Sequence, residues 1–409
     1  MSELLITWRG YGKMILMDNV IIIKFGEVAL RGSNRYILEN RLIEAIRRNI
    51  RPFPEYRVTR EIGRYIVERA DGGDFDADAI IPRVSVVFGL VGLSPALRSR
   101  DTGIAALREA ALISAREALA ENPAARTFKV AATRAHKTYP LRSQEICADT
   151  GGFILENIPR LKVDVKNPDI TVKIELRNYA YIYSRFIPGL GGLPPESCGR
   201  ALTLLSAGID SPVASYLTAR RGAYVESVYF HSPPHTSERA LQKVLDVCER
   251  LAVYTGGYKL SVVNITPTHT RLLERTPPEK FTILLKRSML RAAELLAAKN
   301  GCDALVTGDS LGQVASQTIK SMAAIDHGLN LPVLRPLLGF DKREITDLAV
   351  KIGTYDVSIR PFEDCCTLFV ARHPETKPKV SIIESIERNM PDLPQFWLEA
   401  AEKAETYEF

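Results

Sequence analysis

Residues Ala201–Ala214 read ALTLLSAGIDSPVA, and this stretch decides the fold of the larger part of the chain. Ala201–Leu205 is a short apolar run, the pattern of a buried strand. It breaks into Ser206-Ala207-Gly208-Ile209-Asp210-Ser211, which is small, polar and turn-forming. Ser211 followed by Pro212 has the order of a helix N-cap and first helical residue. The stretch therefore predicts strand, tight loop, helix. Such a loop presents hydroxyls and backbone N–H groups at the positive end of a helix dipole, a natural place for phosphate. It is not the GxxxxGK[ST] nucleotide loop, because no lysine follows the glycine. An ordinary strand-to-helix turn is the alternative for these six residues taken alone.

Downstream the same alternation continues. Strands are predicted at 201–205, 225–230, 259–265, 303–307 and 332–334. Helices are predicted at 212–221, 237–254, 280–299, 313–323 and 341–352. Alternating strands and helices imply a parallel sheet covered on both faces, and ligands of such sheets bind at the carboxyl ends of the strands. Upstream, Pro188–Glu196 (PGLGGLPPE) is rich in Pro and Gly and marks a linker. Before it the pattern is α+β. A strand at 20–24, a helix at 35–50 and strands at 56–59 and 64–68 suggest a ferredoxin-like unit. An apolar run, 84–93, then leads into a helix at 102–122, a strand at 127–133 and a helix at 143–156 capped by Ser143. Strands at 163–165, 170–176 and 179–186 follow. The resulting division is a leader at 1–18, a first domain at 19–82, a second at 83–187, a linker at 188–198 and the parallel-sheet domain at 199–409.

Length and composition agree with several soluble domains. The chain has 409 residues, 46% hydrophobic and 25% charged, with formal net charge +6. The mild positive charge suits an anionic partner without requiring one. The six cysteines form no regular framework and no CxxC pair. Reduced thiols and a cytoplasmic location are therefore expected. No apolar run reaches the roughly 20 residues of a membrane helix.

Three further motifs fall at predicted strand ends. Tyr229-Phe230-His231 closes the second strand before SPPHTSER, where backbone groups are placed to hold a base edge. His231 and His235 lack partners at metal-ligand spacing, so no metal site is expected from them. Gly308–Thr318 (GDSLGQVASQT) gathers small and amide residues after a buried strand. Asp309, Ser310, Gln313, Ser316 and Gln317 are hard to explain by packing alone. Lys286 stands on a predicted helix as a cation for phosphate. Finally, Glu363-Asp364-Cys365-Cys366-Thr367 sets two adjacent thiols among nearby basic residues, Arg360, Arg372, His373 and Lys377. Adjacent cysteines pair badly with each other, so this points to thiol chemistry.

Taken in order, LLSAGIDSPVA, FHSPPHTSERA, GDSLGQVASQT, LRPLLGFDKREI and EDCCTLF resemble the tRNA 4-thiouridine synthetase, or tRNA sulfurtransferase, family. Its phosphate loop is of the SGGxDS pyrophosphatase type. The opening IIIKFGEVALRGSNR and the stretch TFKVAATRAHKTYPLRSQEI are similar to that family's first segment and its THUMP domain. The resemblance implies a ferredoxin-like domain, a THUMP RNA-binding domain and a Rossmann-like adenylating domain. It implies that ATP, with Mg²⁺, activates O4 of the uridine at position eight of tRNA, and that a persulfide sulfur replaces it. ATP contacts are implied at Leu204, Leu205, Ser206, Gly208, Asp210, Ser211, Tyr229, Phe230, Lys286, Gly308 and Gln317. The resemblance implies Cys366 as the catalytic group, with Cys365 as partner and Asp210 orienting groups or binding Mg²⁺. Lys129, Arg134, His136, Lys137 and Arg142 are the tRNA-binding candidates. The chain ends too soon for the rhodanese domain of some members, so sulfur is expected from a cysteine desulfurase or sulfide. A homodimer and a part in thiamine biosynthesis are further family associations. Ala207 stands where the family has glycine; a positive φ there would cost about 1 kcal/mol. Two rivals stay open: a related ligase acting on a small molecule, and a tRNA-binding protein whose ATP site has decayed.

Overall fold

The computed structural model describes residues 17–30, 35–135, 137–361 and 374–409. The chain divides into two compact units. The first holds the residues up to Phe25 with Ile50–Ser85 and Leu90–Gly189; the second holds Gly26–Asn49, Val86–Gly89 and Leu190–Phe409. Helix α1 (Arg35–Asn49) thus groups with the second unit.

The first unit is built on one sheet. Its strands are β1 (Met17–Phe25), β2 (Tyr56–Glu61), β3 (Arg64–Arg69), β4 (Leu90–Ser99), β5 (Thr127–Arg134), β6 (Lys162–Val163), β7 (Ile170–Leu176), β8 (Ala180–Tyr183) and β9 (Ile187–Pro188). They run in the order β2-β3-β1-β4-β8-β7-β5-β6, with β9 beside β4. β4 joins what the sequence reads as two separate units, pairing β1 from Met17↔Ser99 to Phe25↔Leu90 and β8 at Leu97–Ser99. Pro95 is tolerated inside it because β9 pairs only Gly92–Leu93 and β8 only Leu97–Ser99, so no ladder bond is required at Pro95 on that side. Helix α2 (Ala77–Ser85) precedes β4. Helices α3 (Ile104–Glu121) and α4 (Ser143–Asn157) cover one face, where Leu107, Ala111, Ile146 and Ile154 meet Phe128, Val172, Ile174 and Ile182. Arg142, not Ser143, is the N-cap of α4: its backbone N–H donates to Glu145, so Ser143 is already helical. On the opposite face Tyr181 and Tyr183 pack with Val20, Ile22 and Ile66. There the buried Arg64 lies over the Tyr181 ring and bonds to Glu61 and Glu175 at 2.9 and 2.7 Å.

The second unit is the doubly wound sheet that the alternation predicts. Its elements are β10 (Arg200–Leu204), α5 (Asp210–Arg220), β11 (Tyr224–His231), α6 (Glu238–Thr255), β12 (Lys259–Asn264), α7 (Thr266–Arg275), α8 (Pro278–Asn300), β13 (Ala304–Val306), α9 (Ile319–Asp326), β14 (Val333–Leu334), α10 (Lys342–Lys351), α11 (Tyr355–Ser358), α12 (Val380–Arg388), α13 (Leu393–Glu402) and β15 (Glu405–Glu408). Strand order is β14-β13-β10-β11-β12-β15, parallel except for β15. α5, α6 and α10 pack on one face around Val213, Val244 and Ile345; α8, α9 and α13 pack on the other around Leu284, Ala324 and Leu393. The chain leaves β10 for β11 on one side and returns to β13 on the other. The switch point lies between β10 and β13, where such sheets bind ligands.

Three details differ from the sequence reading. The helix predicted at 313–323 begins only at Ile319, because Thr318 caps it by accepting from the Ser321 N–H at 3.1 Å. Residues before it form a loop with a 3-10 turn at Ala315–Gln317. Helices α7, α11, α12 and α13 are additional. The C-terminal β15 closes the β12 edge antiparallel, with Leu260 opposite Tyr407.

Candidate active site

The turn after β10 is held by its own hydroxyls. The Ser206 N–H donates to Ser211 Oγ at 2.7 Å, the two side-chain oxygens lie 2.9 Å apart, and the Gly208 N–H reaches Ser206 Oγ at 3.2 Å. Helix α5 starts earlier than its predicted cap. Ile209 is the N-cap, Asp210 the first helical residue, and Ser211 and Pro212 sit inside the first turn. Proline costs nothing there, since first-turn N–H groups have no helical partner. Ser211 is therefore a brace for the loop, and Asp210 places a carboxylate on the positive helix end. Ala207 does not carry the expected penalty. Among the described residues Glu196 is the one non-glycine with positive φ, and Ala207 is buried in the core beside α5.

The end of β11 supplies backbone. Tyr229 and Phe230 are buried on opposite faces of the sheet, Tyr229 in the α5 core and Phe230 in the α8 core. β10 leaves the ladder after the Leu205 N–H to Val228 carbonyl bond at 2.9 Å, whereas the His231 carbonyl still accepts from Ile265 on the β12 side. Backbone direction alternates along a strand. The amide and carbonyl of Phe230 therefore face the space beyond the end of β10.

The loop after β13 completes the site. Gly308 lies so close to α5 that a Cβ there would sit 2.7 Å from Ser211 N and 2.9 Å from the Asp210 carbonyl carbon. Gly312 holds φ +77, and its N–H closes the loop on the Gln317 carbonyl at 2.8 Å. Between them Asp309 accepts from Thr307 Oγ1 (2.8 Å), Lys286 Nζ (3.1 Å), Gln317 Nε2 (3.2 Å) and Arg335 Nε (3.4 Å). Burial alone would raise the Asp309 carboxyl. The Lys286 charge, the Thr307 hydroxyl and Arg335 overcome it and hold the group at about 2. Asp210 is served separately, by Lys342 Nζ at 2.9 Å and Gln313 Nε2 at 3.2 Å.

These elements enclose one cleft of about 440 Å³. It brings together Leu204, Leu205, Ser206, Gly208, Asp210, Ser211, Tyr229, Phe230, Lys286, Gly308 and Gln317, every nucleotide contact named from the sequence. Thr282, Met289, Glu279 and Glu375 also line it and carry no sequence signal of their own. Arg335 and Lys342 were missed as well. Lys342 stands inside the quoted LRPLLGFDKREI, but its reach to Asp210 becomes visible only in three dimensions. Gln317 Oε1 is buried with no hydrogen-bond partner among the described residues, while its amide nitrogen is fixed by Asp309. His231 is occupied structurally, with Nδ1 2.8 Å from Thr236 Oγ1. Cys365 and Cys366 lie outside the described residues. The chain on either side is tied to the cleft: Ser358 Oγ donates to the Gly208 carbonyl at 3.1 Å, and Pro374 lines the wall.

The tRNA-binding candidates belong to the first unit. Lys129 lies half-buried on β5, and Lys137 and Arg142 are exposed. Arg134 spends its guanidinium on the Tyr139 and Leu141 carbonyls, at 3.2 and 2.7 Å, and so fixes the turn that presents Lys137. His136 lies outside the described residues.

Known proteins match this arrangement along nearly the whole chain. A probable tRNA sulfurtransferase of Lachnoclostridium phytofermentans is 44% identical over 374 residues, 91% of this chain and 95% of that protein. One from a Thermoanaerobacter species is 45% identical over 91% of this chain and 96% of its own. The chain belongs to the tRNA sulfurtransferase family. The family model described as thiamine biosynthesis protein (ThiI) matches residues 196–391, the ThiI ferredoxin-like domain 20–94 and the THUMP domain 103–185. A 4-thiouridine synthetase solved in complex with RNA and bound ATP is 36% identical, with a TM-score of 0.88, over 96% of this chain and all of that one. The tRNA sulfurtransferases thus share both units, and the cleft lies in the segment matched by the ThiI model.

Proposed function

We propose that this chain adenylates the uridine at position eight of tRNA and exchanges its O4 for persulfide sulfur, producing 4-thiouridine. The observation that carries this reading is the convergence of three separate strand ends, with Lys286, on one cleft at the switch point of the sheet. The related 4-thiouridine synthetase was solved with RNA and ATP, which supports ATP and tRNA as the substrates here.

The cleft fits a nucleoside triphosphate group by group. The Phe230 amide and carbonyl offer a donor and an acceptor to the adenine edge. The unpartnered Gln317 Oε1 suits a hydroxyl or amino donor of the nucleoside. Ser206, Gly208 and Ser211 at the start of α5 receive the pyrophosphate, whose developing charge is stabilised by the loop N–H groups, the hydroxyls and the helix dipole. Asp210 and Asp309 are the carboxylates that suit Mg²⁺, an ion bound by one or two carboxylates together with phosphate oxygens. Lys286 and Lys342 balance these carboxylates and face the phosphates. O4 of uracil attacks the α-phosphorus and pyrophosphate leaves; the terminal sulfur of a persulfide on Cys366, with Cys365 as its partner, then displaces AMP at C4, and a thiol reductant cleaves the resulting S–S bond to free 4-thiouridine and the Cys366 thiol. The persulfide sulfur comes from a cysteine desulfurase, whose own persulfide passes its outer sulfur to the Cys366 thiolate; sulfide as donor would instead attack C4 directly, with no persulfide.

Lys129, Lys137 and Arg142 meet the tRNA backbone, where contacts position rather than specify. The reaction belongs in the cytoplasm, with a homodimer as the expected assembly and thiamine biosynthesis as a second use of the sulfur. The test is pyrophosphate release from MgATP with and without unmodified tRNA. Release that depends on tRNA, and is abolished together with thiolation by Asp210→Ala, is expected. Release independent of tRNA would indicate a small-molecule ligase instead.

A further inference from the structure

Adenylation at O4 removes a proton. Uracil carries hydrogen on N3, and the O4-adenylated ring has a double bond from N3 to C4 in its place. As the O4–phosphorus bond forms and the bond to the pyrophosphate oxygen breaks, the N3 proton must pass to an acceptor. Among the described residues the cleft is lined by four carboxylates, Asp210, Asp309, Glu279 and Glu375.

Two of them are committed. Asp309 carries Lys286, Arg335, Thr307 and Gln317, and those partners keep it so acidic that it is a poor proton acceptor. Asp210 carries Lys342 and Gln313 and stands on the phosphate loop itself. Displacement at phosphorus brings the nucleophile in opposite the leaving group. With pyrophosphate departing toward the start of α5, an in-line uracil comes from the opposite part of the cleft, and the first turn of α8 lines the cleft away from the phosphate loop. Glu279, the second residue of α8, and Glu375 line the cleft on that side. The Glu375 N–H donates to the Glu279 carbonyl at 2.9 Å, which fixes its backbone to the first turn of α8. Glu375 Oε1 accepts from the Lys377 N–H at 2.9 Å, so the carboxylate is oriented. Its Oε2 lies 3.7 Å from Lys280 Nζ, a longer contact than the 3.3 Å from Lys280 to Glu279 Oε1. Among the described residues, the charged side chains placed around Glu375 are thus Lys280 and Glu279.

We propose that Glu375 is the general base of the adenylation step, taking the N3 proton of the target uracil on Oε2. The proposal rests on the adenylation of tRNA uridine proposed above. The same carboxylate then selects uracil, which offers an N3–H donor, over cytosine, whose N3 is an acceptor.

The experiment measures steady-state, tRNA-dependent pyrophosphate release by the full chain. Glu375→Gln is expected to lower kcat about 100-fold, the scale of general-base catalysis, with KM for ATP within about twofold of wild type. Glu375→Asp is expected to recover part of kcat, and added acetate to raise kcat of Glu375→Ala in proportion to its concentration, which a structural role would not produce. A Gln variant within twofold of wild type, or an Ala variant insensitive to acetate while still binding ATP, overturns the assignment. Wild-type protein that releases no pyrophosphate with tRNA contradicts the adenylation reading instead, so the two failures are distinguishable.

Discussion

The two loops that build the phosphate end of the cleft make an instructive pair. Residues 206–209 are braced chiefly from nearby: the Ser206 and Ser211 hydroxyls accept the local N–H groups, and Ser358 Oγ adds a remote bond to the Gly208 carbonyl. Residues 307–318 depend on distant chain. Asp309 is held from α8 by Lys286 and from beyond β14 by Arg335, and Ser310 Oγ donates to the Phe340 carbonyl at 2.8 Å. The first loop is a local motif, the second an assembly of remote charges. Gly308 packs against Asp210 and Ser211 at the start of α5, so the locally braced loop is positioned in part by the dependent one.

That contact is where a single methyl is expected to do the most damage. Gly308→Ala inserts a methyl against the backbone of Asp210 and Ser211, where neither neighbour is a flexible side-chain end. Displacement of reacting groups by about 1 Å costs on the order of 100-fold in rate. Pyrophosphate release by this variant is expected to fall by about that factor, while circular dichroism reports a folded protein. A smaller effect follows from Lys286→Met. The Asp309 carboxyl sits at about 2, below its ordinary 3.8. Its stabilising contribution is therefore complete above about pH 4 and lost as pH falls from 4 toward 2, and the shift corresponds to about 2 kcal/mol. Without Lys286 the carboxyl rises, so acid unfolding followed by circular dichroism is expected to start at higher pH. The least effect is expected from Ala207→Gly. With no positive φ to relieve, glycine restores nothing. Activity within twofold of wild type and a stability loss of at most about 1 kcal/mol are expected from activity assays and urea unfolding.

The same contrast explains what the sequence made legible. The 201–214 stretch announces its strand, turn and helix through local chemistry, and so the phosphate loop, the strand order class and the cleft residues on strand ends were all readable. The start of α9 was also encoded locally, in Thr318 before an apolar run with Ser321 three residues on, but the helical pattern over 313–323 masked that cap. Asp341 and Glu344 likewise announce α10 as a capping box. The pairing of Lys342 with Asp210, or of Arg335 with Asp309, has no local signature: it arises only when strand order brings elements far apart in the chain to one edge. The joining of the two N-terminal units through β4 was hidden for the same reason, since a strand does not announce how many neighbours it pairs.

Activation of tRNA uridine for thiolation by this cleft is tested most directly by incubating the full chain with unmodified tRNA, MgATP and a persulfide donor, then digesting the RNA and measuring nucleosides by mass spectrometry. Wild-type protein is expected to yield 4-thiouridine and Cys366→Ser none, with tRNA-dependent pyrophosphate release from both. No 4-thiouridine from wild-type protein, or an undiminished amount from Cys366→Ser, would contradict this chemistry.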